Sequence, residues 1–212
     1  MINRIDHESM DELTDGELWD LFRHGNDAAF DFIYQQYFDR LYNYGRQFTS
    51  HIAIVEDAIQ ELFIELRRRS SFLSPTDRIL PYLYNAFRRK IIRLRDKELK
   101  NQEFDVSKSF EITVSVEDEI ITNDLEKEDL QKLQLAIQEL SPKYREIIYH
   151  FYYENLSYTE IQEVLGFDNV KSVRNLLYKA LKSLRKGMTH TLLLTDFLFS
   201  LLRSEENNFT SM

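Results

Sequence analysis

Residues Leu140 to Lys186, LSPKYREIIYHFYYENLSYTEIQEVLGFDNVKSVRNLLYKALKSLRK, decide the fold. Ser141 and Pro142 form a helix start: the hydroxyl satisfies a free amide, and the proline stands where its missing N–H costs nothing. Ile147, Ile148 and Phe151 then share one helical face. Ser157 with Glu160 three residues on makes a capping box, so a second helix begins there with Ile161, Val164 and Leu165 inward. Gly166 stands where a left-handed cap ends that helix, and Phe167, Asp168 and Asn169 make the turn. Val173, Leu177, Ala180 and Leu184 recur at helical spacing in a third helix, closed by Gly187. Short helix, tight turn and longer final helix predict a helix-turn-helix.

The polar face of that final helix indicates a use. Between Asn169 and His190 stand six positive residues (Lys171, Arg174, Lys179, Lys182, Arg185, Lys186) and no Asp or Glu. Such a helix suits a DNA major groove, with its N-terminal residues on base edges and the later cations on phosphates. The plainer reading is a solvated basic face on an ordinary helical hairpin. The caps, the turn and the one-sided charge together favour DNA.

The remaining composition agrees with a helical protein. Five Gly and three Pro in 212 residues are few for a turn-rich sheet architecture. The absence of cysteine excludes disulfides and thiolate metal sites and fits a reducing compartment. The N-terminal stretch MINRIDHESMDELTDGELW holds neither the basic nor the apolar region of a signal peptide, so a cytoplasmic location is expected. A net charge of −9 looks wrong for a DNA binder until it is resolved by segment. Residues 1–66 carry −10, residues 67–100 carry +8, residues 101–131 carry −8 and residues 169–190 carry +6. Two basic segments separated by an acidic one fit two nucleic-acid contacts better than one.

Residues 16–48 read as helices, with Leu18, Leu21 and Phe22 on one face and Phe30, Ile33, Tyr34, Tyr37, Phe38, Leu41, Tyr42 and Phe48 continuing as an aromatic core. A helix from about Ile52 to Arg69 turns Val55, Ala58, Ile59, Leu62, Phe63 and Leu66 inward and Glu56, Asp57, Gln60, Glu61 and Glu65 outward. Ser70 to Asp77 is a loop, and Ile79 to Lys100 is a strongly basic helix. In it Tyr82, Tyr84 and Phe87 alternate with Asn85, Arg88, Arg89, Lys90, Arg93 and Arg95. Rings beside a cationic face suit unpaired bases and their phosphates; core aromatics under a solvated basic face are the equal alternative. Residues 101–125 are acidic with no compact apolar face and read as a flexible linker. Leu125 to Leu140 adds a helix through Leu130, Leu133, Ile137 and Leu140. The apolar tail Met188 to Ser204, MTHTLLLTDFLFSLLRS, is too short and interrupted to span a bilayer, and is expected to pack as a further helix or to dock a partner. The expected fold class is all-α, two small helical domains joined by an acidic linker: residues 1–100, linker 101–126, residues 127–187, and tail 188–212.

In four stretches the chain resembles the bacterial RNA polymerase sigma factors, specifically the extracytoplasmic-function class of the sigma-70 family. Asn26-Asp27-Ala28-Ala29-Phe30, with Ile33-Tyr34, Tyr37 and Leu41-Tyr42, is similar to the opening helix of that family's region 2. Asp57-Ala58-Ile59-Gln60-Glu61-Leu62-Phe63 resembles its polymerase-binding helix. Pro81-Tyr82-Leu83-Tyr84 through Arg88 to Arg95 looks like the helix that melts and recognises the −10 element. Leu140-Ser141-Pro142 through Ile161 and Leu165-Gly166 is similar to region 4, which reads the −35 element. The resemblance implies that Asp57, Gln60, Glu61 and Phe63, with Glu65 beside them, meet a basic coiled coil of core RNA polymerase. It also implies that Tyr82, Asn85, Arg88, Arg89 and Arg93 face the −10 element. On the final helix it implies that Lys171, Ser172, Arg174, Asn175 and Tyr178, followed by Lys179 and Lys182, face the −35 element. Promoter DNA, core polymerase and an anti-sigma factor are the implied partners. Tyr82, Arg89 and Arg93 stand where the family usually has Trp, Asn and Asp. The turn at Asp168-Asn169-Val170 is one residue longer, and Leu176 and Leu181 replace usual cations.

Signs of covalent chemistry are missing from the sequence: it has no phosphate-cradling glycine loop, no GxSxG and no HExxH. His7, His24, His51, His150 and His190 are scattered without metal-ligand spacing, and no cofactor is expected. The carboxylates near Asp57 lie on one helical face and do not converge as a hard cation requires. The competing functional classes are a polymerase-independent helix-turn-helix regulator and a helical interaction protein that binds no DNA. The acidic Asp57 face with its Gln60 and Phe63 spacing favours the polymerase-binding reading, since a stand-alone regulator would not need it.

Overall fold

The computed structural model describes residues 10–101, 110–112 and 127–187. Among them the fold is all-α. Eight α-helices run in order: α1 (Asp15–Arg23), α2 (Asp27–Arg46), α3 (Ile52–Arg68), α4 (Ile79–Asn101), α5 (Lys127–Gln138), α6 (Pro142–Ile148), α7 (Tyr158–Leu165) and α8 (Val170–Gly187). The described residues fall into two compact units, one of 10–101 with 159–167 and one of 110–112, 127–158 and 168–187. None of the described helices is long and apolar enough to cross a membrane. The expected tail at 188–212 and most of the acidic linker lie outside the described residues.

In the first unit α1 begins with a capping box: Glu17 N–H donates to Thr14 Oγ1 at 3.3 Å and Thr14 N–H donates to Glu17 Oε2 at 2.9 Å. Those bonds to Thr14, the backbone one first, hold the Glu17 carboxyl below its ordinary range. Gly25 takes φ +84 in the three-residue turn that follows. Asn26 then caps α2 by accepting from Ala29 N–H at 3.0 Å.

Helices α2, α3 and α4 pack on one another. The inward stripe of α3 is the expected one: Val55, Ala58, Ile59, Leu62, Phe63 and Leu66 are all buried. Fully burying one such large side chain contributes roughly 1.5–3 kcal/mol. The aromatic residues of α2 divide differently from the expectation of a single core. Tyr37, Tyr44 and, just past the helix end, Phe48 are buried, whereas Phe30, Tyr34, Phe38 and Tyr42 form a half-exposed row. Four-residue spacing stacks that row along one edge of the helix, beside the stripe that faces α3 and α4. Tyr44 centres the core, 4.9 Å from the Tyr84 ring and 5.0 Å from Phe48.

The second unit is built from α5, α6 and α8. Ser141 Oγ accepts from Tyr144 N–H at 3.4 Å and Pro142 opens α6, as the sequence predicts. The helix then changes winding, and Tyr149–Tyr153 is a π-helical turn. Asn155 at φ 52 ends it, with Leu156 N–H donating to the His150 carbonyl at 3.0 Å. The wider winding corrects the expected Ile147, Ile148, Phe151 face: the first two are buried and Phe151 is rotated into partial exposure. Tyr149 is buried instead, its ring edge-on to Phe110 at 5.6 Å. Phe110 and Ile112 are 3% exposed with Glu111 outward between them. This apolar–polar–apolar triplet is therefore anchored where the whole segment reads as flexible linker. Val173, Leu177, Ala180 and Leu184 of α8 are buried as expected, joined by Leu181.

Candidate polymerase and nucleic-acid faces

The outward face of α3 presents Asp57 and Gln60, both exposed. Ile64, at the next position of the same face, is 66% exposed. Ile64 is not among the expected partner-facing residues, and its signal in the sequence is an apolar residue off the inward stripe. Phe63, expected on this face, is 3% exposed. Its ring meets Tyr34 at 4.8 Å and Phe30 at 6.0 Å, which seats the helix from its inner side.

Glu61 and Glu65 turn toward α4. Glu61 pairs with Arg93 and Glu65 with Lys90, and Glu65 also meets Arg69 at 3.3 Å. The Lys90 hydrogen bond first, then the charges of Lys90 and Arg69, hold the Glu65 carboxyl below its usual range. The expected polymerase and nucleic-acid faces thus share ion pairs in the free chain. Between these helices and the following loop lies a groove of about 320 Å³, lined by Leu66, Leu73, Tyr82, Arg69, Arg89 and Lys90 among others. Tyr82 is half-buried there, its ring 5.0 Å from Trp19. Burial above all raises its phenol pKa.

The alternation of rings and cations on α4 resolves in two directions. Tyr84 and Phe87 are fully buried, because with Leu80, Leu83 and Ile91 they complete the three- and four-residue stripe of the core. Tyr82 lies off that stripe. Arg88 is half-buried, and Arg89 and Arg93 are exposed. Asn85 is engaged within the first unit: its amide donates to the carbonyls of Glu163 and Val164 at 2.6 and 3.1 Å, and its oxygen accepts from Arg89. Arg78 pairs with Glu163 at 3.0 Å. Phe72, on the 3-10 turn Ser70–Phe72, is 82% exposed beside this groove's loop, a feature that loop-breaker residues hid from the sequence reading.

On α8 the cationic side is separate from the buried stripe. Lys171, Arg174, Asn175, Tyr178, Lys179 and Lys182 are all exposed, Tyr178 at 57%. Asn169 caps the helix, accepting from the Ser172 N–H at 2.9 Å and the Ser172 hydroxyl at 3.1 Å. Ser172 is therefore partly committed to the cap that the longer turn creates. The Arg174 guanidinium lies 5.2 Å from the centre of the Tyr158 ring. Leu181 is 3% exposed, so the Leu that stands in place of a cation belongs to the core. Gly166 has φ +68, the left-handed position expected before this turn. No group of His, Cys, Asp or Glu among the described residues is arranged to hold a metal ion.

Residues 130–184 match the protein family described as sigma-70, region 4. The chain is 24% identical over 160 residues to the RNA polymerase sigma factor YlaC of Bacillus subtilis (strain 168), a match covering 74% of this chain and 90% of that protein. Two solved structures share the fold. CnrH in complex with the cytosolic domain of CnrY aligns at TM-score 0.57 and 18% identity, over 82% of this chain and 97% of that one. The sigma factor RpoE in complex with the anti-sigma factor NepR from Bartonella quintana aligns at 0.52 and 16%, over 74% and 94%.

Proposed function

We propose that this chain, which matches sigma-70 region 4 at residues 130–184 and is similar along most of its length to a sigma factor, is a sigma factor of the extracytoplasmic-function class that binds core RNA polymerase and directs initiation at particular promoters through two DNA contacts. The observation that carries this reading is the division of α8: an exposed side with cations and no acid, and a buried side of Val173, Leu177, Ala180, Leu181 and Leu184. Residues 127–187 hold the −35 contact, with Lys171, Arg174, Asn175 and Tyr178 toward base edges and Lys179 and Lys182 on phosphates. Residues 1–100 hold the polymerase and −10 contacts. Asp57, Gln60 and Ile64 offer a carboxylate, an amide and an exposed apolar side chain on one helix face to a basic partner surface.

Promoter opening on this reading is binding work and not covalent chemistry. Unstacking a base step costs about a few kcal/mol. Tyr82 and the groove beneath it offset that by taking an unpaired base, while Arg88, Arg89 and Arg93 hold the strand. Arg93 must leave Glu61 to do so, an exchange of one exposed ion pair for another that costs little. The similar structure of RpoE holds the anti-sigma factor NepR, and an anti-sigma factor is the corresponding partner proposed for this chain.

The test is a pull-down of bacterial core RNA polymerase with the wild-type chain and with Asp57→Arg/Gln60→Ala, followed by run-off transcription. Polymerase retained by the wild type and lost by the variant, with promoter-dependent transcripts from the wild type alone, is the expected result. No retention by the wild type, together with tight duplex binding by the chain on its own, would replace this reading by a polymerase-independent regulator.

A further inference from the structure

The loop between α3 and α4, residues 70–78, carries Ser, Pro and Thr and only one 3-10 turn of regular structure. A segment of that composition has few internal bonds and would sample many conformations. Helix α1 supplies what the loop lacks. Trp19 Nε1–H donates to the Ser74 carbonyl at 2.9 Å, and Arg23 Nε–H donates to the Leu73 carbonyl at 2.7 Å. Asp15 Oδ2 accepts the Ile79 N–H at 2.8 Å, capping α4 where the loop ends. Asp15, Trp19 and Arg23 recur every four residues, so one stripe of α1 makes all three bonds. Trp19 is fully buried and its ring also abuts Tyr82. The same stripe therefore holds the loop, the start of α4 and the ring expected to meet an unpaired base.

We propose that Trp19 and Arg23 are positioning residues for the −10 contact, which set the loop 70–78 and Tyr82 in their binding arrangement before DNA arrives. The inference rests on the function proposed above and adds residues that none of the four family-like stretches contains. A loop ordered in advance does not charge its ordering entropy to binding, and it presents one shape to the bases, so both affinity and base preference depend on it.

The variants separate these bonds from packing. Trp19→Phe keeps a ring against Tyr82 but removes the indole N–H. Arg23→Met keeps the stem and removes the donor, and Arg23→Lys restores a donor and the charge. Hydrogen exchange on the full chain reads the loop, and a degenerate single-stranded DNA pool enriched on reconstituted holoenzyme reads affinity and base preference. Loop amides should exchange faster in Trp19→Phe and Arg23→Met, with core-polymerase affinity and exchange in α2 and α3 unchanged. Single-strand affinity should fall on the order of tenfold, the equivalent of one lost hydrogen bond, and base preference should flatten, with partial recovery in Arg23→Lys. Unchanged loop exchange overturns the brace itself. Faster loop exchange with wild-type affinity and base preference overturns the positioning role. A wild-type holoenzyme that enriches no single strands overturns the parent reading and this inference with it, visible as failure of the wild type and not of the variants.

Discussion

Gly45 shows how closely α2, α3 and α4 approach. A Cβ placed there would stand 2.6 Å from Val55 Cγ1 and 2.9 Å from Phe87 Cζ, distances that real Cβ atoms do not keep. Val55 and Phe87 are both fully buried, so neither can retreat without moving the core. Gly45→Ala should therefore cost about 1–3 kcal/mol despite the better helix propensity of alanine, read as a lower urea midpoint with an unchanged slope. An unchanged midpoint would mean that the core around Val55 and Phe87 yields to a methyl group at this crossing. Nothing in the sequence around Gly45 announces this contact, since it depends on residues from two other helices. The same holds for Trp19, Arg23 and Asp15, whose partners lie 55, 50 and 64 residues away. Gly166, by contrast, was legible because its left-handed conformation is required by the helix end in which it sits.

Among elements, α1 and α2 are linked by a buried phenol: Tyr37 OH donates to Asp15 Oδ1 at 3.2 Å, and Tyr37 is 5% exposed. Burial first, and then the Asp15 carboxylate, push the Tyr37 pKa well above its ordinary value. In the unfolded chain this phenol ionises near pH 10, so above that pH the unfolded state has released a proton that the folded state retains. Stability is then lost as pH rises from about 10 toward the raised folded value. Tyr37→Phe should lose about 1 kcal/mol at neutral pH with the hydrogen bond and show a shallower alkaline decline in Tm. Parallel declines in the two proteins between pH 9 and 11 would remove this group as the cause. Helix α3 was read correctly because its stripe has a single period from Val55 to Leu66. Helix α6 was not followed to its end, because Tyr149–Tyr153 abandons the 3.6-residue period on which such reading depends. Helix α4 allowed two assignments for its aromatics, and only packing could allot Tyr84 and Phe87 to the core and leave Tyr82 at the groove.

Over the whole molecule, a net charge of −9 opposes the close approach of DNA that the cations of α8 favour. The free chain should bind duplex DNA weakly, and the holoenzyme should supply the missing attraction. Cations that meet phosphates and side chains that meet bases are then separable by salt. Each phosphate neutralised by a lysine contributes about 0.9 to the slope of log affinity against log salt. Replacing Lys179 and Lys182 together with glutamine should reduce the holoenzyme's slope by about 1.8 and weaken all −35 sequences alike. Arg174→Ala should instead change which bases are preferred, because Arg174 is exposed near the N-terminus of α8, where side chains reach base edges. Anisotropy titrations over several salt concentrations, against a panel of single-base changes, measure both effects. An unchanged slope in the double lysine variant would move the phosphate contacts to another face. A uniform loss from Arg174→Ala would make that residue a backbone contact, and base reading would then fall to Asn175 and Tyr178, the exposed polar side chains next along the helix.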